Sequence, residues 1–303
     1  MIKKLFITAA ALTALAGNGW TQNASGELEV SGKIVLEEIL SDMPGFTRAG
    51  PGTVKSSGKD SRARALSAYV GTAVKDGNTV KSGSGGAKIK LINAIWALGE
   101  IGADEDAYVL AEVFSSADKT VKLNIKTAMD KIEARGGSLT KKNAGIPDAE
   151  RLYGHLEPGD IVFRKGYFGL LNSAIKAQTV GHVGIYSGIE NGEHMVIEGW
   201  LPVRKTTLKH FISDWPYYGN YTTAPAPTPA QRNLILDYAS SQLGKAYDFT
   251  HGIQKGPLKF DCVGLAEAAY ESVGLNPTPD EFESGWGWPL TPTEQYEHTF
   301  PNF

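Results

Sequence analysis

Lys259-Phe260-Asp261-Cys262-Val263-Gly264-Leu265 carries the one cysteine of the chain, where a loop over residues 252–259 meets an apolar helical run. A free thiol has a pKa of ~8.5, and a nucleophile at neutral pH needs that lowered by a helix N-terminus and a neighbouring imidazole. Asp261 can cap the helix, which puts Cys262 in the first turn, at the positive end of the dipole. The same geometry offers a backbone N–H to an oxyanion, the second requirement of acyl transfer. The rival reading is a small buried hydrophobe, the common fate of an unpaired cysteine. A single cysteine excludes an internal disulfide and any cysteine-cluster zinc or iron–sulfur site.

The thiol needs a base, and the chain has six histidines. His155 and His298 sit in polar, loop-like surroundings, His210 on a short amphipathic helix, and His251 in a Gly-bounded loop. His182 differs, because Gly181-His182-Val183-Gly184-Ile185-Tyr186 opens a strand that is otherwise apolar or Gly. A histidine at the mouth of a buried strand is either a satisfied core residue or a catalytic base. Glu198 raises the same question within Val196-Ile197-Glu198-Gly199-Trp200. The turn between the two strands decides whether they meet. If Glu190-Asn191-Gly192 is a three-residue loop, residue 184 faces 198, and Glu198 falls diagonally across from His182 on one face. A two-residue Asn-Gly turn puts them on opposite faces.

Further out, Ile161-Val162-Phe163 and Met195-Val196-Ile197 are β-rich runs, and residues 230–243 and 262–273 read as helices. Strands followed by helices predict an α+β domain. The first half has another pattern. Ala63, Leu66, Tyr69 and Val70 mark one helix, Ile34, Leu36, Ile39 and Leu40 another, with a Gly/Ser/Thr/Pro-rich loop over 45–59 between them. Ala94, Ala97, Leu98 and Ile101 recur about 31 residues later as Ile125, Ala128, Met129 and Ile132, with a helix through Tyr108, Leu110, Ala111 and Val113 in between. These alternating helices resemble HEAT-like repeats, and a plain bundle fits as well. They hold no convergent catalytic residues, which leaves them packing or the binding of a protein partner.

Met1-Ile2-Lys3-Lys4 and the apolar run from Leu5 to Ala16 read as a secretory signal peptide, with small-residue cleavage sites at Ala16 or Ala24. The run is too short to span a bilayer of ~30 Å. The expected organisation is a signal peptide over 1–24, a helical domain over 25–140 and a hydrolase domain over 148–303, with the boundary near residues 141–147. The expected location is secreted, in the periplasm. Across 303 residues, 30 Lys and Arg stand against 33 Asp and Glu, and no block of five like charges occurs. That argues against nucleic acid or an anionic membrane surface as the main partner.

Leu243-Gly244-Lys245-Ala246-Tyr247-Asp248-Phe249, followed by Phe260-Asp261-Cys262-Val263-Gly264-Leu265, resembles the nucleophile region of NlpC-type papain-fold cysteine hydrolases. Leu156-Glu157-Pro158-Gly159-Asp160-Ile161-Val162-Phe163 and His182-Val183-Gly184-Ile185-Tyr186 resemble the histidine region of that family. The order here runs from His to Cys, which is the order of the circularly permuted branch, with YiiX/YebB-like proteins and the lecithin retinol acyltransferase relatives. The resemblance spans residues 150–280. It implies a permuted papain-like domain with an antiparallel sheet, Cys262 as nucleophile, His182 as base and Glu198 as orienting residue, with His194 the alternative. It also implies Tyr247 as a pocket residue, although a core aromatic fits that position too. Asp261 is then either a helix cap alone or a receptor for a free substrate amine. Val263 replaces the usual serine, and the glycine pair after the tyrosine is absent. No metal or organic cofactor is expected. The expected reaction is cleavage of an amide in a cell-wall peptide through a thioester. The alternatives are a lipid-directed acyltransferase or hydrolase, entered past Trp200, Trp215, Tyr217 and Tyr218, and a non-catalytic binding module.

Overall fold

The computed structural model of the chain describes residues 20–22, 28–30, 59–75, 85–136, 146–166, 180–213, 215–249, 251, 254–279 and 290–302. The apolar leader with its cleavage sites, the stretch at 34–40, nearly all of the 45–59 loop and most of the 141–147 boundary lie outside them.

A small antiparallel pair, β1 (Trp20–Gln22) and β2 (Leu28–Val30), precedes four helices. These are α1 (Lys59–Lys75), α2 (Gly85–Ile101), α3 (Asp104–Phe114) and α4 (Lys119–Ala134). Asp118 starts α4 by accepting the Val121 N–H. The two stretches that recur in the sequence become α2 and α4, which pack directly on each other. Gly99 permits the approach, since a Cβ there would sit 2.8 Å from the Ala128 Cα. Lys131 pairs with Glu100, and Arg135 donates to the Gly99 and Gly102 carbonyls at the end of α2.

The remainder is built on a sheet. In chain order it contains β3 (Ile161–Arg164), β4 (His182–Glu190), β5 (Glu193–Glu198), β6 (Arg204–Thr207), α5 (Leu208–Ile212), β7 (Tyr217–Thr222) and α6 (Pro229–Ser241). Then come β8 (Ala246–Tyr247), β9 (Lys259–Phe260), α7 (Cys262–Glu271), α8 (Pro292–His298) and β10 (Phe300–Pro301). Six strands pair antiparallel in the order β10-β7-β3-β4-β5-β6, and β8 pairs with β9 in parallel. The fold is α+β, with helices in the N-terminal part and the antiparallel sheet in the C-terminal part.

Alternation along the central strands sends side chains to both faces. Ile161, Phe163, Val183, Ile185 and Ile197 share a core with Ile235 of α6, Leu265 of α7 and Tyr296 of α8. Val162, Tyr186 and Val196 face the other way, onto Phe211 of α5 and Leu123 of α4. Cover on both faces explains why β3 and β4 read as nearly unbroken apolar runs. Capping boxes start two of the helices behind the sheet: Thr228 with Gln231 at α6, and Thr291 with Glu294 at α8, each followed by Pro. His298, expected in a loop, ends α8 instead.

β7 was not visible in the sequence, because Tyr-Tyr-Gly-Asn-Tyr-Thr has no apolar alternation. It is nevertheless buried along its whole length, and the helical half supplies partners for the Tyr217 backbone and the Tyr218 hydroxyl. The Asn124 side chain of α4 mimics a paired strand, donating to the Tyr217 carbonyl at 2.8 Å and accepting the Tyr217 N–H at 3.0 Å. The Tyr218 hydroxyl donates to Asn93 Oδ1 at 2.7 Å. Tyr217 and Tyr218 are therefore core residues and line no entrance, a correction to the expected lipid path. The four helices share one hydrophobic core with the sheet, running from Leu66 and Ile92 through Ile125 to Val183 and Leu265.

A buried carboxylate ties these layers together. Asp160, in the turn before β3, is fully buried and accepts from Arg232 of α6 at 2.7 Å, Asn220 of β7 at 2.8 Å, Asn302 at 2.9 Å and the Glu157 N–H at 2.9 Å. Removing one member of such a cluster leaves the others desolvated and unpaired. Asp160→Ala should lower the unfolding free energy in urea by about 3 kcal/mol. A loss below ~1 kcal/mol, the worth of an exposed pair, would show that the cluster does not hold the layers.

Candidate active site

The hairpin of β4 and β5 settles which face Glu198 takes. Asn191 and Gly192 both have positive φ (52° and 83°), and Glu190 pairs with Glu193, which makes a two-residue turn. Such a turn alone would put His182 and Glu198 on opposite faces. Between Tyr186 and Gly188, however, the register slips by one residue, so Ser187 is a bulge and Gly184 pairs with Glu198. The turn is the alternative that separates the two side chains, and the bulge brings them back to one face. His182 Nε2 and Glu198 Oε2 are 2.5 Å apart, with both groups buried. Gly184, the register partner of Glu198, leaves room for Val196 and Phe211, since a Cβ there would sit 2.5 Å from Val196 Cγ1.

The start of α7 lies at the same end of the sheet. Asp261 caps the helix by accepting the Gly264 N–H at 2.7 Å, and Cys262 is its first residue. Gly199, next after Glu198, lies against that helix start: a Cβ there would be 2.5 Å from the Asp261 carbonyl oxygen and 3.0 Å from the Cys262 Cα. The Val183 N–H, one residue past His182, donates to the Cys262 sulfur. The Tyr247 hydroxyl also reaches that sulfur and accepts the Cys262 backbone N–H. Tyr247 thus marks the place where an oxyanion would find its donors.

The electrostatics differ from the sequence expectation. Burial pushes the Cys262 thiol up to about 12, and the Asp261 charge adds to this; the Val183 N–H, Tyr247 and Arg164 act in the opposite direction. Burial also lowers His182 to about 4, aided by Arg164, against the pull of Glu198. Burial opposes the charge on Glu198, but the His182 bond, Arg204 and Arg164 outweigh it and hold the carboxyl at about 2. At neutral pH the site therefore holds a neutral thiol, a neutral imidazole and a carboxylate. Because Nε2–H donates to Glu198, Nδ1 is the nitrogen left to accept a proton. The helix N-terminus does favour a thiolate, but a fully desolvated sulfur loses more than one dipole returns.

Several residues make contacts around the site that the sequence did not assign to them. Arg204 donates to Glu198 Oε1 at 2.8 Å. Trp200 stands edge-on to His182 at 5.2 Å, and Phe211 lies tilted against it at 5.3 Å, so the His182–Glu198 bond is shielded from water. Arg164 pairs with His182 across β3 and β4, and its guanidinium packs among Trp200, Phe211 and Trp215. The one sequence signal was a charged residue ending an apolar strand. His251 Nδ1 lies 2.7 Å from Asp261 Oδ2, which also accepts from Gln254 Nε2 at 2.6 Å. The buried Asp261 carboxylate thus meets three donors from the chain itself. His194 lies four residues up β5 from Glu198, about 13 Å away. There its Nδ1 is 2.7 Å from the Tyr186 hydroxyl. It is Glu198 that bonds His182.

Among the described residues, no three His, Cys, Asp or Glu side chains converge as metal ligands, and no helix is long and apolar enough to cross a membrane. Residues 155–282 match the model of a family described as permuted papain-like amidase enzymes, YaeF/YiiX, C92 family. This match supports a papain-like peptidase or amidase of permuted order for that part of the chain. Among solved structures, the chain is similar to one titled as the crystal structure of metalloprotein yiiX from Escherichia coli O157:H7. The identity is 21% and the TM-score 0.34, over 41% of this chain and 69% of that one. No curated protein matches the chain.

A neutral, buried thiol makes a direct prediction. At about pH 8, iodoacetamide should alkylate Cys262 in the folded protein more slowly than it alkylates a free cysteine of pKa ~8.5. Faster alkylation would mean a preformed thiolate–imidazolium pair and would contradict the electrostatics above.

Proposed function

We propose that this protein is a papain-like cysteine amidase with Cys262 as nucleophile, His182 as general base and acid, and Glu198 as the group that holds the imidazole. The buried His182–Glu198 bond, at the sheet end where α7 begins with Cys262, carries this reading. As the sulfur bonds to the substrate carbonyl carbon, the thiol proton passes to Nδ1 of His182. The carbonyl electron pair moves onto oxygen, where the Cys262 N–H and the Tyr247 hydroxyl are at hand. Collapse breaks the C–N bond, the amine leaves with the proton from His182, and a thioester remains. His182 then takes a proton from water, the hydroxide adds to the thioester, and the released thiolate recovers its proton. The thiol and imidazole are neutral at rest, so proton transfer accompanies attack.

Papain-like amidase chemistry suits an amide in a cell-wall peptide, and the leader-like N-terminus suits secretion to the periplasm. For a free amine to reach Asp261, it would have to compete with His251 and Gln254 for Oδ2. One observation favours a lipid substrate instead. Leu201, Leu243, Phe249 (53% exposed) and Leu258 (78%) present apolar side chains on three neighbouring loops. Hydrogen bonds from Gly244 to Val203 and from Lys245 to Pro257 hold those loops together, and Tyr247 lies on one of them. Purified protein should release peptide amines from muropeptides and leave phospholipids intact; the reverse result would replace the peptide reading with the lipid one.

Two measurements test the roles. Glu198→Gln keeps the size but removes the charge that stabilises imidazolium, and kcat should fall by roughly 10²-fold or more. Protonated His182 cannot accept the thiol proton, so activity is lost on its acid side. The acid limb of kcat/KM should therefore fall near pH 4, where burial places His182. A limb near the ordinary histidine value would show that His182 works in contact with water.

A further inference from the structure

Arg164 ends β3 as the register partner of His182 and is 6% exposed. Its guanidinium carbon lies 5.2 Å from the centre of the Phe211 ring, 5.6 Å from Trp215 and 5.9 Å from Trp200. One terminal nitrogen donates to the Lys165 carbonyl at 2.8 Å, and the buried Nε has no partner. Among the described residues no carboxylate pairs with it, because Glu198 is bonded to His182 and Arg204. Burying a guanidinium with no directly paired carboxylate is unfavourable, and the Glu198 charge, felt without a bond, together with the aromatic faces returns only part of that loss. A buried charge left in this state beside a reactive pair calls for a functional explanation.

The charged and titratable groups around Cys262 come from several elements. Asp261 precedes it, Tyr247 comes from β8 and bonds the sulfur, Arg164 comes from β3, and the His182–Glu198 pair lies at the same end of the sheet, on β4 and β5. His251 is tied to Asp261, and Arg204 to Glu198. The Arg164 charge favours the thiolate, and its register partner His182 adjoins Val183, whose N–H donates to the sulfur. Burial lowers the Arg164 pKa only to about 10, so the charge is present at neutral pH.

We propose that Arg164 is a positioning residue, the fixed positive charge that stabilises the Cys262 thiolate as His182 takes its proton. This rests on the reading of Cys262 as nucleophile. The same charge disfavours imidazolium, so it also drives the proton from His182 onto the departing amine. The aromatic cage keeps water from solvating the guanidinium, and an unsolvated charge acts further through a low dielectric. The residue thus gives up stability for reactivity.

Arg164→Met separates this role from a structural one. Methionine fills an aromatic cage well, and an apolar side chain in place of a buried, unpaired charge is often neutral or stabilising. The expected result has three parts. The Tm is unchanged or higher. The Cys262 alkylation rate, followed from about pH 7 to 10, falls roughly tenfold at each pH, as for a thiol pKa raised by about one unit. kcat falls with it, and Arg164→Lys, which keeps the charge, recovers most of both losses. If Arg164 only holds the aromatics in place, Arg164→Met loosens the fold, exposes the thiol and speeds alkylation while the Tm drops. That outcome, failure to fold, or an unmoved alkylation rate overturns the proposal. Alkylation of the wild type is scored first for loss of hydrolysis. If alkylated wild type stays active, the nucleophile assignment and this proposal both fall; if it is inactive, the variants decide Arg164 alone.

Discussion

A 2.5 Å bond between two fully desolvated groups, His182 and Glu198, sets the terms for the C-terminal half. A carboxylate survives burial only when its oxygens are engaged, and here His182 takes one and Arg204 the other. The bond fixes the imidazole tautomer and turns Nδ1 away from Glu198. Ser187 must bulge for Glu198 to reach this face, and residues 184 and 199 must be Gly for the neighbouring segments to close in. Trp200 and Phe211 then exclude water from the pair. The bulge serves that contact directly, and the glycines let β5 and α7 close around it.

Dryness has a second consequence, at Cys262. The sulfur sits at the positive end of α7, which favours a thiolate, and in a desolvated site, which disfavours one. Desolvation is the larger effect, because the first turn of a helix carries only partial charges. Cys262 and His182 consequently rest uncharged, with a caged cation and a paired carboxylate nearby.

The helical half is joined to this machinery through shared packing. Asn124 pairs with the Tyr217 backbone, Asn93 accepts the Tyr218 hydroxyl, and Gly219 of the same strand faces Thr120. β7 in turn pairs with β3, which ends in Arg164. The helices therefore give a polar strand the buried environment it needs, a structural role that requires no catalytic residue of their own. Asp160 does the same from the opposite side of β7, through Asn220.

Much of this was legible in residue order. Short β-rich apolar runs marked the central strands, the Asp261-Cys262 pair marked a capped helix with a thiol in its first turn, and the 31-residue recurrence marked two helices that pack together. Those signals are local: they depend on backbone preferences and on the spacing of apolar side chains. The motif pair also singled out His182, Glu198 and Cys262 as residues to bring together. Residue order left open whether Glu198 shares a face with His182, because a bulge is one unpaired residue that the sequence does not mark. It pointed to a lowered thiol pKa, since burial by residues distant in the chain cannot be read from its neighbours. The parts played by Arg164, Arg204 and His251 were hidden for the same reason. What a charged side chain does depends on which charges and how much water surround it, and only the folded arrangement of β3, β5, β6 and α7 decides that.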